Sequence, residues 1–383
     1  MEKLSFLNVS EEKRKLYKPI IEHVKGVNAQ HTLYEQNKLI MMYEQAAKYI
    51  ATMERKTNYE ELVQRAIYEQ NDTGDITTDI KAIMGMIGKV YPNMVTRSII
   101  SVQPTPKNTA TIFYKDYVRD DDSSLSSDIH ANRNYADNEE YNPSSPTDVK
   151  EIRLKITNDT VSCNEKKLRD EVTLEMIQDL MSELGMNATS LLDSEMLSEI
   201  VREWDRQNLQ LMLDGATGGS STFSTAEPSG LSYEDRKYWM ETIYEKIIDV
   251  DNQIFKKRFR RTNFIVAGAD EASFIEKMKG FRSSNIDIDQ VVVQTGGRYE
   301  MGTLNNRWKV IVDPFLTGKM LVGYNNSLNF METPFVFAPY VMAYFTPRVT
   351  STVKFTQARG LLSRAAQKVV VSDLLGIVDI TSS

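Results

Sequence analysis

The amino-acid sequence predicts an α+β fold with two or more lobes. Two long stretches, residues 11–70 and 170–215, repeat apolar residues at helical spacing, whereas the chain from residue 263 onward alternates short apolar runs with Gly, Asn and Pro. A chain of 383 residues can bury a sizeable core and usually divides into two or three domains. We therefore expect a helical N-terminal part, a long central helix and a sheet-rich C-terminal part.

Composition argues against several classes of protein. Apolar residues make up 41% and charged residues 26%, which are ordinary globular values, and the net charge of -7 gives no overall attraction to nucleic acid or to anionic membranes. No apolar run approaches bilayer-spanning length, and the N-terminus lacks the apolar core of a signal peptide. These features predict a protein that is made and used in a cytosol-like compartment and has no membrane partner.

Residues suited to catalysis or metal binding are scarce. The single cysteine, Cys163, cannot form an internal disulfide, and its place after a strand-like run favours a small buried side chain over a nucleophile. The three histidines, His23, His31 and His130, are scattered among polar residues and provide little material for a metal site or a Ser-His-Asp triad. The sequence therefore predicts no cofactor, no metal and no catalytic residue.

Good helix formers dominate the N-terminal part, which is predicted to be helical from about residue 11 to residue 70. A turn signal follows at Asn71–Gly74. This leader is consistent with a coiled-coil partner arm, a scaffold-like region or a first helical domain. A short helix predicted over Ile80–Val90 ends before Tyr91, because Pro92 disfavours helix in the residue that precedes it.

Two strand-like segments are predicted to pair with each other. Thr111–Tyr114 and Ile152–Ile156 both alternate apolar and polar residues, as the arms of one long antiparallel hairpin would. The stretch between them is polar and has few large apolar residues, so we expect it to be flexible or ordered by a neighbour. Its acidic run, Asp120–Asp122, could hold a hard cation, but a solvated acidic loop is the favoured interpretation because the ligand pattern of an EF-hand is missing.

The central stretch is predicted to form two helices, the first over Val172–Leu184 and the second over Leu191–Met212. Gly185–Asn187 separates them, and Thr189 or Ser190 is placed to cap the second helix. An apolar stripe along the second helix predicts a core element on the order of 30 Å long. The central residues of this stripe are Met196, Ile200 and Trp204.

A Gly/Ser/Thr-rich linker at residues 215–230 contains no P-loop, because no Gly-Lys-Ser/Thr closes it. An amphipathic helix is predicted over Tyr233–Lys257. It ends in the basic cluster Lys256–Arg261, which either contacts phosphates or complements the helix dipole, and the second interpretation is favoured. Beyond it, strands are predicted at Asn263–Gly268, Val291–Val293, Trp308–Val312 and Met320–Val322, a helix at Ala269–Phe281, and β structure to the C-terminus.

Short motifs stand along the chain in a distinctive order. The positions that mark them are Tyr91, Pro92, Gln103, Pro104, Asp313, Pro314, Pro339, Tyr340, Arg359 and Gly360. Further motif positions are Gln178–Leu180, Gly185, Glu199, Arg202–Glu203 and Gly323–Tyr324. In this order the chain resembles the T-even-type major capsid proteins of tailed bacteriophages, which have the Hong Kong 97-type shell fold. The resemblance covers roughly residue 76 to the C-terminus and rests on the collinear series, since each motif alone is short.

The resemblance implies the layout of a shell subunit. It divides the chain into a helical N-terminal arm (1–75), the rest of that arm entering the shell domain (76–104), an extended loop over a neighbouring subunit (105–165), a peripheral domain (166–260) with spine helix 190–213, an axial domain (261–335) and a C-terminal return to the peripheral domain (336–383). The extended loop is too short for the insertion domain of larger family members, so no decoration role is carried over from that domain.

The resemblance also implies a function and a set of partners. The expected protein self-assembles into hexamers and pentamers of an icosahedral or prolate head around double-stranded DNA, which it contacts non-specifically. It would reside in the virion head, assembled in the host bacterial cytoplasm with a scaffold protein, a portal, a prohead protease and vertex or decoration proteins. Proteases of this family cut after a glutamate that follows Leu or Ile by two positions, which Glu69 fits and Glu35 fits as well.

Three alternatives remain open from the sequence. Two are shell proteins, a pentamer-only vertex protein and an encapsulin-like compartment, and the long leader with the T-even-type motifs disfavours the encapsulin. The third is an α+β hydrolase that uses paired carboxylates such as Asp313 and Glu332. Such a pair needs apolar walls that raise one pKa, and no sequence feature makes these two residues neighbours.

Overall fold

The computed structural model describes residues 9–23, 33–53, 94–119, 152–183, 185–226, 230, 233–283, 298–326 and 331–381. Several sequence predictions lie outside these ranges. They are the helix at Ile80–Val90, the strand at Val291–Val293, the acidic run Asp120–Asp122, the residues His31 and His130, the motif residues Tyr91 and Pro92, and the cleavage position Glu69.

The described residues form an α+β fold, as predicted. The helices are α1 (Glu11–His23), α2 (Leu33–Met53), α3 (Leu174–Glu183), α4 (Ala188–Asp214), α5 (Tyr233–Arg258) and α6 (Ala269–Glu276). The strands are β1 (Ser101–Val102), β2 (Thr109–Arg119), β3 (Ile152–Ser162), β4 (Asn164–Thr173), β5 (Gly219–Ser224), β6 (Phe264–Ala267), β7 (Phe281–Ser283), β8 (Tyr299–Leu304), β9 (Trp308–Val312), β10 (Lys319–Gly323), β11 (Phe335–Phe345), β12 (Val349–Ser351), β13 (Thr356–Val369) and β14 (Leu375–Thr381).

A five-stranded sheet forms the first lobe. β1, β11, β13 and β12 lie in that order, and β4 pairs with β13 antiparallel from Thr356↔Thr173 to Ala365↔Asn164. Side chains alternate across β11, because successive residues of a strand point to opposite faces. Phe335 and Phe337 enter one core cluster, whereas Val336 enters another with residues of the hairpin base.

A seven-stranded sheet forms the second lobe, in the order β5-β14-β10-β6-β9-β8-β7. Both of its faces are covered, which explains why the apolar run of β6 is continuous. Phe264 and Val266 pack into the cluster that contains α4, and Ile265 and Ala267 pack into the cluster beneath α5. Helix α4 therefore contributes to a core shared by both sheets, with α5 on the far side of the second sheet.

The predicted antiparallel hairpin is confirmed and is longer than predicted. β2 and β3 pair in register from Thr109↔Ser162 to Arg119↔Ile152 and belong to neither large sheet. At about 3.3 Å per residue this arm is roughly 35 Å long. Ala110 at its base is buried with Cys163 and with residues of β11 and β13.

The described part of the N-terminal leader packs against the first lobe. Tyr43 of α2 is fully buried and stacks with Tyr17 of α1 at a centroid distance of 6.3 Å. Tyr49 of α2 makes edge contacts with Tyr340 and Tyr344 of β11, at 6.0 and 5.4 Å. Helix α2 thus belongs to the same core cluster as α4.

The start of the first predicted central helix is wrong. Asn164–Thr173 is strand β4, and helix α3 begins only at Leu174. The buried residues Asp170 and Val172 alternate with exposed neighbours and pair with β13. The sequence did not reveal this strand pattern, because residues four positions apart lie on the same face of a strand and also on the same face of a helix.

The predicted cap of the second central helix is also wrong. Asn187, not Thr189 or Ser190, caps α4: its backbone is extended, and its Oδ1 accepts a bond from the Thr189 N–H at 3.1 Å. Asparagine is among the strongest capping residues, so the helix begins one residue after it.

One further helix boundary differs from the sequence prediction. The helix predicted over Ala269–Phe281 ends at Glu276, and Gly280, with φ of +95°, turns the chain into β7. The C-terminal segment 336–383 contributes strands to both lobes. β14 enters the seven-stranded sheet between β10 and β5, and α5 packs on the same sheet, so these parts of segments 166–260 and 336–383 join the second lobe.

Candidate assembly elements

Helix α4 is held by apolar packing on its predicted stripe. Ile200 and Trp204 have no solvent exposure, and Met196 retains 8%. The Trp204 ring meets Phe337 of β11 edge-on at 5.7 Å, while its Nε1–H donates to Ser363 Oγ at 2.9 Å. A buried indole N–H requires such a partner. The orientation of α4 against the five-stranded sheet is therefore fixed by a hydrogen bond as well as by the burial of apolar surface.

A buried polar network crosses the same helix. The Asp205 carboxylate accepts bonds from the Val95 N–H at 3.0 Å and from the Thr96 N–H at 3.3 Å, and also from the Thr96 hydroxyl. Asn208 donates to Thr96 Oγ1 at 3.2 Å and accepts from Gln367. Burial raises the pKa of Asp205 to about 6, although the hydrogen bonds from Thr96 and Val95 and the charge of Arg298 oppose the rise.

This network was missed by sequence reasoning, and the signal for it was present. Asp205 follows Val201 by four positions and therefore lies on the apolar stripe, as does Asn208. A polar residue in a buried stripe is expected to have a specific partner. The partner here is the segment that precedes β1, so the network ties that segment to α4.

Gln103 joins the hairpin to the five-stranded sheet. Its buried amide donates from Nε2 to the Phe113 carbonyl and accepts from the Phe113 N–H, each at 3.0 Å. The side chain thus supplies the two bonds of a missing strand neighbour. Pro104 needs no donor at its position, because the N–H groups of Gln103 and Thr105 on either side of it bond to the carbonyls of Phe337 and Pro339 in β11.

Four charged side chains converge where β4, α4, β13 and the residue before β12 meet. The Arg348 guanidinium contacts Asp170 at 2.9 Å and Asp193 at 2.7 Å, and Arg359 contacts Asp193 at 2.9 Å. Asp170 Oδ1 also accepts a hydrogen bond from the Arg359 backbone N–H at 2.7 Å, and the Gly360 N–H donates to the Thr346 hydroxyl at 2.8 Å. The motif residues Arg359 and Gly360 therefore fix a corner between strand and helix.

The remaining motif residues have structural partners too. Asp313 is buried and pairs with the buried Arg298 at 3.1 Å, and Asp313 Oδ1 accepts the Phe315 N–H in a turn that contains the exposed Pro314. Glu332, the other carboxylate of the hydrolase alternative, pairs with Arg260. Each carboxylate is thus paired with a different arginine, so the structure gives no support to a shared acid–base pair.

Pro339 and Tyr340 lie where the register of β11 shifts against β13. A proline within a strand is tolerated at such irregularities. The Pro339 carbonyl accepts the Thr105 N–H at 3.0 Å, and the Arg364 guanidinium lies 5.5 Å from the centroid of the Tyr340 ring.

The basic cluster after α5 is used for internal contacts. Lys257 Nζ donates to the Thr217 carbonyl at 2.7 Å, Arg258 pairs with Asp373 at 3.0 Å, and Arg261 pairs with Asp251 at 2.7 Å. Arg260 pairs with Glu332. These contacts favour a structural role at the helix end over phosphate binding.

Other chemical groups are limited within the described ranges. The Cys163 thiol is buried, and burial raises its pKa to about 11, so it is protonated and poorly suited to attack or to metal binding. No three His, Cys, Asp or Glu side chains of the described residues are grouped to hold a metal ion. None of the described helices combines the length and the apolar character required to cross a membrane.

The described residues thus form an α+β body with a two-stranded arm outside its two large sheets, and many of their charged groups make internal contacts. A family model described as "Major capsid protein Gp23" matches residues 114–380, and the chain belongs to this family. The major capsid protein of Vibrio phage KVP40 is 23% identical to it over 219 residues, which are 53% of this chain and 42% of that relative. The match thus spans less than half the length of the relative.

Solved structures similar to this chain include phage capsids. The capsid of Myoviridae phage XM1 aligns with a TM-score of 0.45 at 9% identity, covering 74% of this chain and 91% of that one. A structure from Mycobacterium phage Bobi aligns with a TM-score of 0.46 at 12% identity, covering 75% and 90%.

Proposed function

We propose that this chain is the major capsid protein of a tailed bacteriophage, which assembles into hexamers and pentamers of an icosahedral or prolate head around double-stranded DNA. Membership of the Gp23 major capsid protein family, matched over residues 114–380, is the observation that carries the proposal. A shell subunit works by burying surface against copies of itself, and symmetry repeats each contact. No catalytic residue is assigned.

The layout proposed for the shell subunit is of the Hong Kong 97 type. The β2–β3 arm is the extended loop that lies over a neighbouring subunit, and its length of roughly 35 Å supports this role. The five-stranded sheet with α3 and α4 is the peripheral domain, with α4 as its spine. The seven-stranded sheet with α5 is the axial lobe that meets its copies around the hexamer or pentamer axis.

The proposed partners are those of head assembly. They are other copies of the chain, a scaffold protein, a portal, a prohead protease and vertex or decoration proteins, with assembly in the host cytoplasm and the finished protein in the virion head. Packaged DNA contacts the shell non-specifically, and the net charge of -7 suits a lining that must not retain its cargo. Processing after Glu69 is proposed as well, and the intact mass of the chain in mature particles tests it.

Electron microscopy of the purified full chain, alone and co-expressed with its scaffold, tests the function. Closed shells, tubes or rings of six support the proposal. Rings of five alone would assign the chain to the vertices instead. A chain that remains monomeric in both preparations would overturn it.

A further inference from the structure

The outer end of the first lobe exposes large apolar side chains. Met176 and Met181 of α3 are 50% and 62% exposed, and Val353 and Phe355 of the β12–β13 turn are 87% and 66% exposed. These two elements adjoin, because the Leu174 N–H donates to the Phe355 carbonyl at 3.0 Å. Met186 and Leu191 beside α3 and Val349 of β12 are exposed too. Large apolar side chains that lie exposed on adjoining elements are typical of a binding site for another macromolecule.

An open groove of about 450 Å³ lies beside this surface, between β4, β12 and β13. Its walls combine apolar and cationic groups, among them Pro347, Val349, Arg169, Lys354 and Arg359. The three cationic side chains of the lining outnumber its one acidic side chain, Glu171, which pairs with Arg169 at 3.3 Å, so the lining as a whole is positively charged. The groove therefore suits an acidic segment that also presents apolar side chains.

Helix α3 has that chemistry. None of its side chains is buried, and its sequence LEMIQDLMSE contains three acidic residues and no basic one. The acidic residues Glu175, Asp179 and Glu183 recur every fourth position and share one side of the helix. The exposed methionines Met176 and Met181 offer flexible apolar contacts, which adapt well to an apolar partner surface. Helix α3 of the same chain is not among the residues that line the groove.

We propose that the basic groove of one copy receives the acidic, methionine-bearing helix α3 of a second copy. This inference rests on the proposed shell function and names the contact that would join neighbouring subunits at the outer end of the first lobe. Each copy offers one helix and one groove, so the contact is head-to-tail and closes into a ring when the rotation between copies allows it. The opposite charges set the register, and burial of the methionines, Val349 and Phe355 stabilises the contact.

Charge exchange between helix and groove tests the docking on the full chain. Asp179→Lys with Glu183→Lys makes α3 basic, and Arg169→Glu with Lys354→Glu makes the groove acidic. Sedimentation velocity and electron microscopy then measure the assembled fraction, which should fall at least tenfold in each double variant. The quadruple variant should regain most of the wild-type assembly, because it restores the opposite charges.

Controls separate docking from folding. All four side chains are exposed, so Tm should change by less than about 3 °C in every variant. The matched control reverses two exposed charges on the second lobe, Glu276→Lys with Lys277→Glu, and should assemble like wild type.

The outcomes also separate this proposal from the proposed function. A wild-type chain that never assembles would overturn the proposed function, whereas wild-type assembly matched by both double variants would overturn only the docking. Loss of assembly in the double variants without recovery in the quadruple variant would show that the occupant of the groove is not α3 of a second copy.

Discussion

Asp205 couples its charge to the packing of the N-terminal segment on α4. The side chain has no solvent exposure, and its carboxylate is bonded to Val95 and Thr96. Its pKa of about 6 lies above the reference value of 3.8, so the folded chain holds the proton more tightly than the unfolded chain does. The stability from this group is therefore fully present below about pH 4 and is lost as the pH rises through 6.

The first prediction concerns this pH dependence. A rise in pH from 4 to 7 should cost the folded chain on the order of 3 kcal/mol at Asp205, at about 1.4 kcal/mol per pKa unit. In Asp205→Asn this contribution should vanish, so the free energy of unfolding should fall less over that range. Urea unfolding at several pH values measures the slope. Asp214→Asn, on an exposed residue at the end of the same helix, should keep the wild-type slope, and an unchanged slope in Asp205→Asn would contradict the prediction.

Asp251 is a second buried carboxylate with the opposite shift. Burial acts to raise its pKa, but hydrogen bonds from Arg307, Arg261 and Thr262 outweigh burial and hold the pKa below its usual value. Stability from this group is present at neutral pH and is lost as the pH falls through the lowered pKa. The carboxylate joins α5 to the starts of β6 and β9 through these partners.

The second prediction is that Asp251→Ala destabilises the chain by about 1–3 kcal/mol at pH 7, because the buried Thr262 N–H loses its acceptor and two partly exposed guanidinium groups lose their ion pair. Asp249→Ala, on the exposed side of the same helix, should change stability by less than about 0.5 kcal/mol. Denaturant unfolding of both variants measures the difference, which should shrink in acid.

At the level of elements, the sequence predicts a helix or strand correctly where its local periodicity agrees with its burial. Helix α5, the β2–β3 pairing and strand β9 each have a pattern in which local periodicity and burial agree, and the structure confirms them. β4 was mistaken for helix because its apolar and polar residues fit both periods, and only its pairing with β13 decides between them.

Contacts between residues far apart in the sequence determine the features that local patterns do not predict. No local signal places β14 between β10 and β5, or brings Asp170 to Arg348 across 178 positions. The partners of buried polar side chains are likewise distant in the sequence and are not predicted by local patterns. Asp205 was readable as a polar residue on an apolar stripe, yet its partner Thr96 lies 109 positions away.

The third prediction concerns the attachment of the hairpin. Gln103→Leu removes both bonds to the Phe113 backbone and leaves its N–H and carbonyl without these partners, which costs about 1–3 kcal/mol. The change should loosen the hairpin base, so hydrogen exchange at the Phe113 amide should accelerate by at least tenfold. Gln210→Leu, at an exposed site on α4, should leave that exchange rate unaltered. If the Phe113 amide exchanges as slowly in Gln103→Leu as in the wild type, the Gln103 side chain does not hold the hairpin.

At the scale of the whole molecule, the leader and the shell domain share one core. Leu39, Ile40 and Tyr43 of α2 are almost fully buried in the cluster that also contains α4 and β11. Processing after Glu69 would remove these side chains and expose the surface they cover. A processed subunit would then depend on contacts with its neighbours to cover that surface, which links processing to assembly.

The fourth prediction follows for the isolated subunit. Deleting residues 1–69 should lower its Tm by more than about 5 °C, which in a chain of this size corresponds to a net loss of about 4 kcal/mol. Binding of a hydrophobic dye should rise, because apolar side chains of the shared core lose their cover. Leu39→Asp in the full chain should act in the same direction, and Lys15→Glu at an exposed position of α1 should not. An unchanged Tm after the deletion would mean that the leader contributes nothing to this core, whereas recovery of the lost Tm within assembled particles would show that neighbouring subunits replace it.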